Sequence, residues 1–115
     1  MELQQKPATD QRLVSIINKI GDITEYQDAS VISRAVIKKS TGSITFFAFD
    51  KGEGLSEHTA PFDAFVNVIE GKVEIIISGK AYILEKDDII IMPANEPHAL
   101  KAIEKFKMLL VMIKD

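Results

Sequence analysis

Two histidines, His58 and His98, are the side chains of this 115-residue chain that are best suited to chemistry near neutral pH. An imidazole exchanges its proton between about pH 5 and 8, bonds to small molecules, acts as a general acid or base, and binds divalent transition metals. The chain has no cysteine, which excludes disulfides, thiolate nucleophiles and zinc–sulfur sites. What the two histidines can do therefore depends on whether the fold brings their rings together.

From residue 29 onward the sequence has the pattern of short strands separated by turns. Alternation places Val73, Ile75 and Ile77 on one face of a strand and Glu74 on the other. Turn-forming pairs such as Ser78-Gly79 recur about every eight to twelve residues, which is typical of an antiparallel sandwich or barrel. The predicted strands cover residues 31–38, 43–50, 64–70, 72–78, 81–84, 89–92, 98–103 and 107–113.

The first 28 residues predict a separate N-terminal arm. Thr9 or Asp10 can cap a helix, and Gly21 can end it. Between them an apolar stripe with helical spacing is formed by Leu13, Ile16, Ile17 and Ile20. We therefore expect an amphipathic helix over about residues 10–20, in an arm of residues 1–28 followed by a β-barrel domain of residues 29–115. The helix would cover one end or face of the barrel, or dock on a partner subunit.

The segment from Gly52 to Ala102, which spans most of the β region, resembles the two sequence motifs of the cupin superfamily. The first motif has a glycine, then five residues, then a His-x-His pair, followed by a glutamate and a second glycine; Gly52, His58 and Gly71 keep these places. In the second motif Pro93 and His98 keep theirs. The chain resembles a small single-domain conserved-barrel (type 2) cupin. This implies an all-β fold, the cupin double-stranded β-helix or jelly-roll barrel, here with a short N-terminal helix.

The metal motif of the superfamily is degenerate in this chain. Its four ligands are reduced to His58 and His98, because Ala60 and Ala64 stand where the second histidine and the glutamate belong. The two glycines and the asparagine of the second motif are also replaced, by Asp87, Asn95 and Ala102. Asp and Asn accept turn and left-handed conformations, so the first two replacements are expected to be harmless to the fold.

The resemblance implies a pocket inside the barrel, apolar with two imidazoles at its polar end. Such a composition is typical of small-ligand sites. Met92, Met108 and Met112 could line such a pocket or simply fill gaps in the core. The residues predicted to bind a ligand are His58, His98, Ala60, Ala64, Val66, Val68, Leu100 and Met108.

Three functions are compatible with these residues. The first and favoured one is a small-molecule-binding protein whose apolar pocket is anchored by the two histidines without a full metal site. The second is a metal-dependent cupin enzyme in which His58 and His98, with water or substrate, bind a divalent transition metal such as Zn, Fe, Ni or Cu. The third is a non-catalytic interaction or sensor-type domain. Metal-free catalysis is less favoured than binding because the sequence predicts no inward carboxylate to orient a base, and whether the chain is an enzyme stays open.

Charge and hydropathy bear on partners and location. A net charge of -3 gives no basic footprint for nucleic acid. The longest apolar run, residues 108–113, is far shorter than the ~20 residues of a membrane span, and the N-terminus has no secretion signal, so we expect a cytoplasmic protein without a membrane partner. The resemblance to small single-domain cupins implies a bacterial-type protein. Strands over residues 45–49 and 108–113 are apolar on both faces, so an oligomer interface or the N-terminal helix is expected to cover the outer face. Together with the resemblance to cupins, this implies a homodimer.

Overall fold

The computed structural model describes residues 7–115, and most of these residues lie in antiparallel strands. The ten strands of this part of the chain are β1 Ala8–Thr9, β2 Val31–Lys39, β3 Gly42–Phe49, β4 Gly54–His58, β5 Asp63–Glu70, β6 Lys72–Ile77, β7 Lys80–Glu85, β8 Ile89–Met92, β9 His98–Ala102 and β10 Phe106–Ile113. Two single turns of 3₁₀ helix, Gln11–Leu13 and Ile20–Asp22, precede β2.

The strands form two sheets that pack face to face. One has six strands in the order β1-β2-β3-β10-β5-β8, and the other has four in the order β4-β9-β6-β7. Val73 and Ile75 of β6 are fully buried between them, while Glu74 is only half-buried, as the alternation predicts. The rings of Phe49 and Phe106 stack at the centre with centroids 4.4 Å apart. The predicted all-β jelly-roll fold is confirmed.

Left-handed turn residues join the strands where the sequence predicts turns. Asp87 and Asn95 have φ of 74° and 66°, so both replacements of the motif glycines occupy the conformation expected of them. The Asp88 carboxylate accepts a hydrogen bond from the Glu85 backbone N–H at 2.8 Å. The Asp87-Asp88 pair thus has a structural use in the turn before β8.

The prediction of an amphipathic α-helix over residues 10–20 is wrong. Asp10 does cap a helical turn, but that turn ends at Leu13, and Ser15 has a left-handed φ of 58°. Ile16, Ile17 and Ile20 are 59%, 98% and 51% exposed, so the barrel leaves most of the predicted stripe uncovered. A short helix depends on such packing for its stability, and without it the 3.6-residue period is not sufficient.

The arm is held instead by the edge of β2 and by ion pairs. β1 pairs with β2, and the Asp10 backbone N–H donates to the Val36 carbonyl at 2.8 Å. The Asp10 carboxylate accepts hydrogen bonds from Arg12 and, at 2.9 Å, from Arg34 of β2. Farther along the arm the Gly21 carbonyl accepts a 2.7 Å bond from the Lys107 ammonium. The division into an arm and a barrel domain stays a prediction.

Asp10→Asn is expected to loosen the arm at neutral pH and to remove part of the acid sensitivity of the fold. Hydrogen bonds from Arg12 and Arg34 hold the pKa of Asp10 well below its usual range. Ionised Asp10 therefore stabilises the folded arm fully above the unfolded-chain pKa of about 3.9. This stabilisation begins to decline at that pH and is lost completely only as the pH falls through the lowered pKa of the folded arm. Amide hydrogen exchange in residues 8–14, followed from neutral pH down to about pH 3, measures the effect.

Asp22→Asn is the matched control, because Asp22 is an exposed carboxylate of the same arm. Equal exchange rates in both variants would show that the Asp10–Arg34 contact does not hold the arm.

No helix in the described residues is long and apolar enough to cross a bilayer.

Candidate functional site

The structure brings His58 and His98 into direct contact. His58 ends β4 and His98 begins β9, and the two are cross-strand partners in the four-stranded sheet. Their Nε2 atoms are 3.1 Å apart, and the ring planes meet at 69°. We call these two side chains the imidazole pair.

Backbone hydrogen bonds fix the loops on either side of the imidazole pair. The Asn95 N–H donates to the Ala60 carbonyl at 2.8 Å, which joins the loop before β9 to the loop after β4. The Ala94 N–H donates to the Asp63 carboxylate at 2.9 Å, and the Ser78 N–H donates to the Pro97 carbonyl at 2.9 Å. The left-handed Asn95 permits the tight turn that these bonds require.

Each imidazole is oriented by a backbone carbonyl two residues before it. His58 Nδ1 lies 2.7 Å from the Ser56 oxygen, and His98 Nδ1 lies 3.1 Å from the Glu96 oxygen. A carbonyl oxygen can only accept, so the hydrogen-bond network assigns the hydrogen of each neutral ring to Nδ1. Both Nε2 atoms are then acceptors, and their lone pairs converge.

The two rings differ in burial. His98 is only 6% exposed, whereas His58 is open to solvent. Burial lowers the pKa of His98; the Glu96 carbonyl opposes this shift and nearby His58 adds to it. This shift favours the neutral form of His98, and His58 forms the solvent side of the imidazole pair.

A cavity of about 170 Å³ lies against the imidazole pair, between the two sheets. We call it the barrel cavity. Six of the predicted binding residues line it: His58, Ala60, Ala64, His98, Leu100 and Met108. Five further side chains line it: Leu55, Phe62, Met92, Leu110 and Met112. The sequence named Met92 and Met112 as residues that could line a pocket, but not the other three. The period-2 pattern of β10 was the available signal for Leu110 and Met112, since both follow Met108 at alternate positions.

Val66 and Val68 do not line the barrel cavity, contrary to the prediction. Both face inward from β5, as Ala64 does, and both are fully buried. Alternate residues on a strand are about 6.8 Å apart, so each step along β5 moves away from the imidazole pair. Ala64 is the one residue of β5 that lines the barrel cavity, and the two valines belong to the packed core.

The side chains present do not fit a resident metal ion. The imidazole pair offers two nitrogen donors, but the methyl groups of Ala60 and Ala64 offer none. Among residues 7–115, no group of three or more His, Cys, Asp or Glu side chains is placed to hold a metal. A bound metal would have two protein ligands, whereas catalytic zinc usually has three and structural zinc four.

The model of the cupin domain family matches residues 45–114. No curated protein matches the chain. Among solved structures, a conserved protein of unknown function from Streptococcus pyogenes is 34% identical with a TM-score of 0.85, over 88% of this chain and 89% of that one. A cupin 2 conserved barrel domain protein from Leptotrichia buccalis is 38% identical with a TM-score of 0.80, over 82% of this chain and 46% of that one.

A cupin superfamily protein from Desulfitobacterium hafniense is 27% identical with a TM-score of 0.77, over 80% of this chain and 84% of that one. The family model thus covers well over half of the chain, and the two packed sheets recur along nearly the full length of the Streptococcus pyogenes protein. This chain belongs to the cupin family.

Proposed function

We propose that the protein binds a small, largely apolar molecule in the barrel cavity, with the imidazole pair as the polar anchor. The observation that best supports this proposal is the combination in one space of apolar walls with two converging imidazoles. Ligand sites generally have this composition, with apolar and aromatic lining and a few polar groups that fix orientation.

The volume of the barrel cavity limits the ligand to about the size of one ring. An apolar protein cavity of about 150 Å³ holds a benzene molecule, and this one measures about 170 Å³. Ala60 and Ala64 provide part of that space, since the histidine and glutamate of the complete motif would fill it with longer side chains.

His58→Leu is expected to weaken binding of a ring-sized ligand about tenfold, because one hydrogen bond to the anchor is lost. The thermal midpoint without ligand should change little, since His58 is exposed. Titration calorimetry with a panel of single-ring and branched aliphatic compounds measures the affinity. Ile83→Leu is a control, because Ile83 is an exposed side chain of β7 that does not line the barrel cavity.

Metal analysis of protein purified without a histidine tag distinguishes the competing functions. Stoichiometric metal that is lost in both His58→Ala and His98→Ala would overturn the metal-free proposal and favour a metal-dependent enzyme. If the wild-type protein bound neither metal nor any compound of the panel, an interaction or sensor-type domain would be the better conclusion.

We further propose that the protein forms a homodimer through the outer face of its six-stranded sheet. A row of apolar cross-strand neighbours runs over five strands of that face, formed by Ile37, Ile44, Val111, Phe65 and Ile91. At a strand spacing of about 4.8 Å this row is about 19 Å wide. Ile91 is 60% exposed. A two-fold dimer would place the same row of both copies together and remove it from water.

Ile91→Lys is expected to convert a dimer into a monomer, because a buried ammonium without a partner is costly at an apolar interface. Sedimentation velocity measures the change. Ile17→Lys, in the arm, is the control at an isoleucine that is even more exposed than Ile91. A monomeric wild-type protein would refute the dimer, and dissociation by Ile17→Lys alone would assign the interface to the arm.

A cytoplasmic location and a bacterial source stay predictions from the sequence.

A further inference from the structure

The hydrogen-bonding character of the barrel cavity narrows the class of ligand that it can bind. Both Nδ1 atoms of the imidazole pair are engaged with backbone carbonyls, at 2.7 Å for His58 and 3.1 Å for His98. The Nε2 atoms that remain are both acceptors in the neutral rings. Two acceptors 3.1 Å apart repel each other unless a hydrogen lies between them or a donor approaches them.

The remaining side chains of the barrel cavity cannot supply that donor. All of the other residues that line it are Leu, Ala, Phe or Met. A thioether sulfur is itself a weak acceptor, and the other side chains have no polar atom. The side chains around the cavity thus present acceptors and no donor, so the missing hydrogen has to come from solvent or from a ligand.

We propose that the barrel cavity selects a molecule of about single-ring size whose polar group is a hydrogen-bond donor, with a phenol as the simplest member of the class. This inference rests on the proposed binding function and names its ligand class. The hydroxyl group donates to an Nε2 atom of the imidazole pair, and the ring lies against Leu100 and Met108. A ligand whose polar group can only accept hydrogen bonds, such as a carboxylate or an ether, is disfavoured. It would bring further lone pairs close to the two Nε2 lone pairs of the imidazole pair.

A neutral donor also suits the surroundings of His98 better than a proton taken from water. Proton uptake would place a charged imidazolium beside an apolar cavity, and burial already lowers the pKa of His98. A hydroxyl group provides the hydrogen without adding a charge. The hydrogen bond then forms in a place from which water is largely excluded, where it is stronger than in solvent.

Four probes of similar size test this class: phenol, toluene, anisole and benzoate. Their affinities are measured by titration calorimetry near pH 8, above the ordinary histidine pKa of about 6.5 and below that of a phenol, about 10. We expect phenol to bind about tenfold more tightly than toluene, the value of one hydrogen bond. Anisole is expected to bind no better than toluene, and benzoate more weakly.

Equal affinities for phenol and toluene would overturn the donor class and leave the binding function intact. Tighter binding of benzoate than of phenol would also overturn it, and would indicate a protonated, anion-binding pair. If none of the four probes bound, and xenon did not enter the cavity either, both the ligand class and the proposed binding function would fail.

His58→Gln tests whether His58 contacts the ligand, because a purely structural role of the histidine would leave the ratio of phenol to anisole affinity unchanged. The glutamine amide has both donors and an acceptor, so it can bond to an ether oxygen as well as to a hydroxyl. The preference for phenol over anisole should therefore fall from about tenfold to about twofold. An unchanged preference would contradict a direct contact between the ligand and His58. Because His58 is exposed, this variant is expected to fold.

Discussion

Gly71→Ala is expected to lower the free energy of unfolding by about 3 kcal/mol, the sum of a left-handed backbone penalty and a steric clash. Gly71 has a φ of 85° and joins β5 of one sheet to β6 of the other. A Cβ atom there would collide with the Lys105 carbonyl oxygen and lie 2.6 Å from Phe106 Cα. Phe106 is fully buried, so neither it nor the backbone can move aside cheaply.

Gly79→Ala separates the two contributions. Gly79 has nearly the same φ, 83°, but nothing lies within 4 Å of the added Cβ. We expect the free energy of unfolding to fall by about 1 kcal/mol, from backbone strain alone. Urea denaturation measures both variants, with unchanged m-values as the sign of an unaltered folded state. Similar losses in the free energy of unfolding at the two positions would show that contact between the added Cβ and Phe106 does not destabilise the fold.

The β-strands of the fold could largely be predicted from the sequence, because alternation reports which face of a strand is buried. Every predicted strand from residue 31 onward has a counterpart in the structure. β4 lay outside the predicted set, since Leu55 is its only apolar residue and no alternation marks it. β1 was also missed, because its hydrogen bonds come from the edge of β2 and not from any local pattern.

The arm shows where a periodic pattern misleads. The spacing of Leu13, Ile16, Ile17 and Ile20 favours a helix, yet local spacing cannot reveal whether a surface exists for the stripe to cover. The contact between Asp10 and Arg34 joins residues that are 24 positions apart, and no local rule reveals such a partner. Tertiary contacts of this kind decide the conformation of a short terminal segment.

Motif spacing predicted the main residues of the candidate site, but it could not predict how far the barrel cavity extends along the strands. The resemblance indicated that His58 and His98 would lie near Ala60 and Ala64, and the structure has all four on the barrel cavity. β10 is apolar on both faces, so its period-2 pattern predicts that Leu110 and Met112 face inward only once Met108 is known to do so. The register with β5, in which Met112 pairs with Ala64, determines which half faces inward.

Ala64→Phe is expected to reduce binding of a ring-sized ligand more than a hundredfold while raising the thermal midpoint. Ala64 is 4% exposed and borders the barrel cavity, whose 170 Å³ are close to the volume that holds benzene. The phenyl ring of the variant would therefore occupy the space of the ligand. Filling a preformed apolar cavity stabilises a protein by about 0.5–2 kcal/mol, so loss of binding should accompany a gain in stability.

Ala48→Phe is the matched control, because Ala48 is also a fully buried alanine on a strand but does not border the barrel cavity. Overpacking there should destabilise the fold by about 1–3 kcal/mol. Titration calorimetry and thermal unfolding together test the pair of variants. If Ala64→Phe bound ring-sized ligands as the wild-type protein does, the ligand would lie elsewhere. If Ala64→Phe destabilised the fold as much as Ala48→Phe does, the space beside the imidazole pair would be too small to admit any ring.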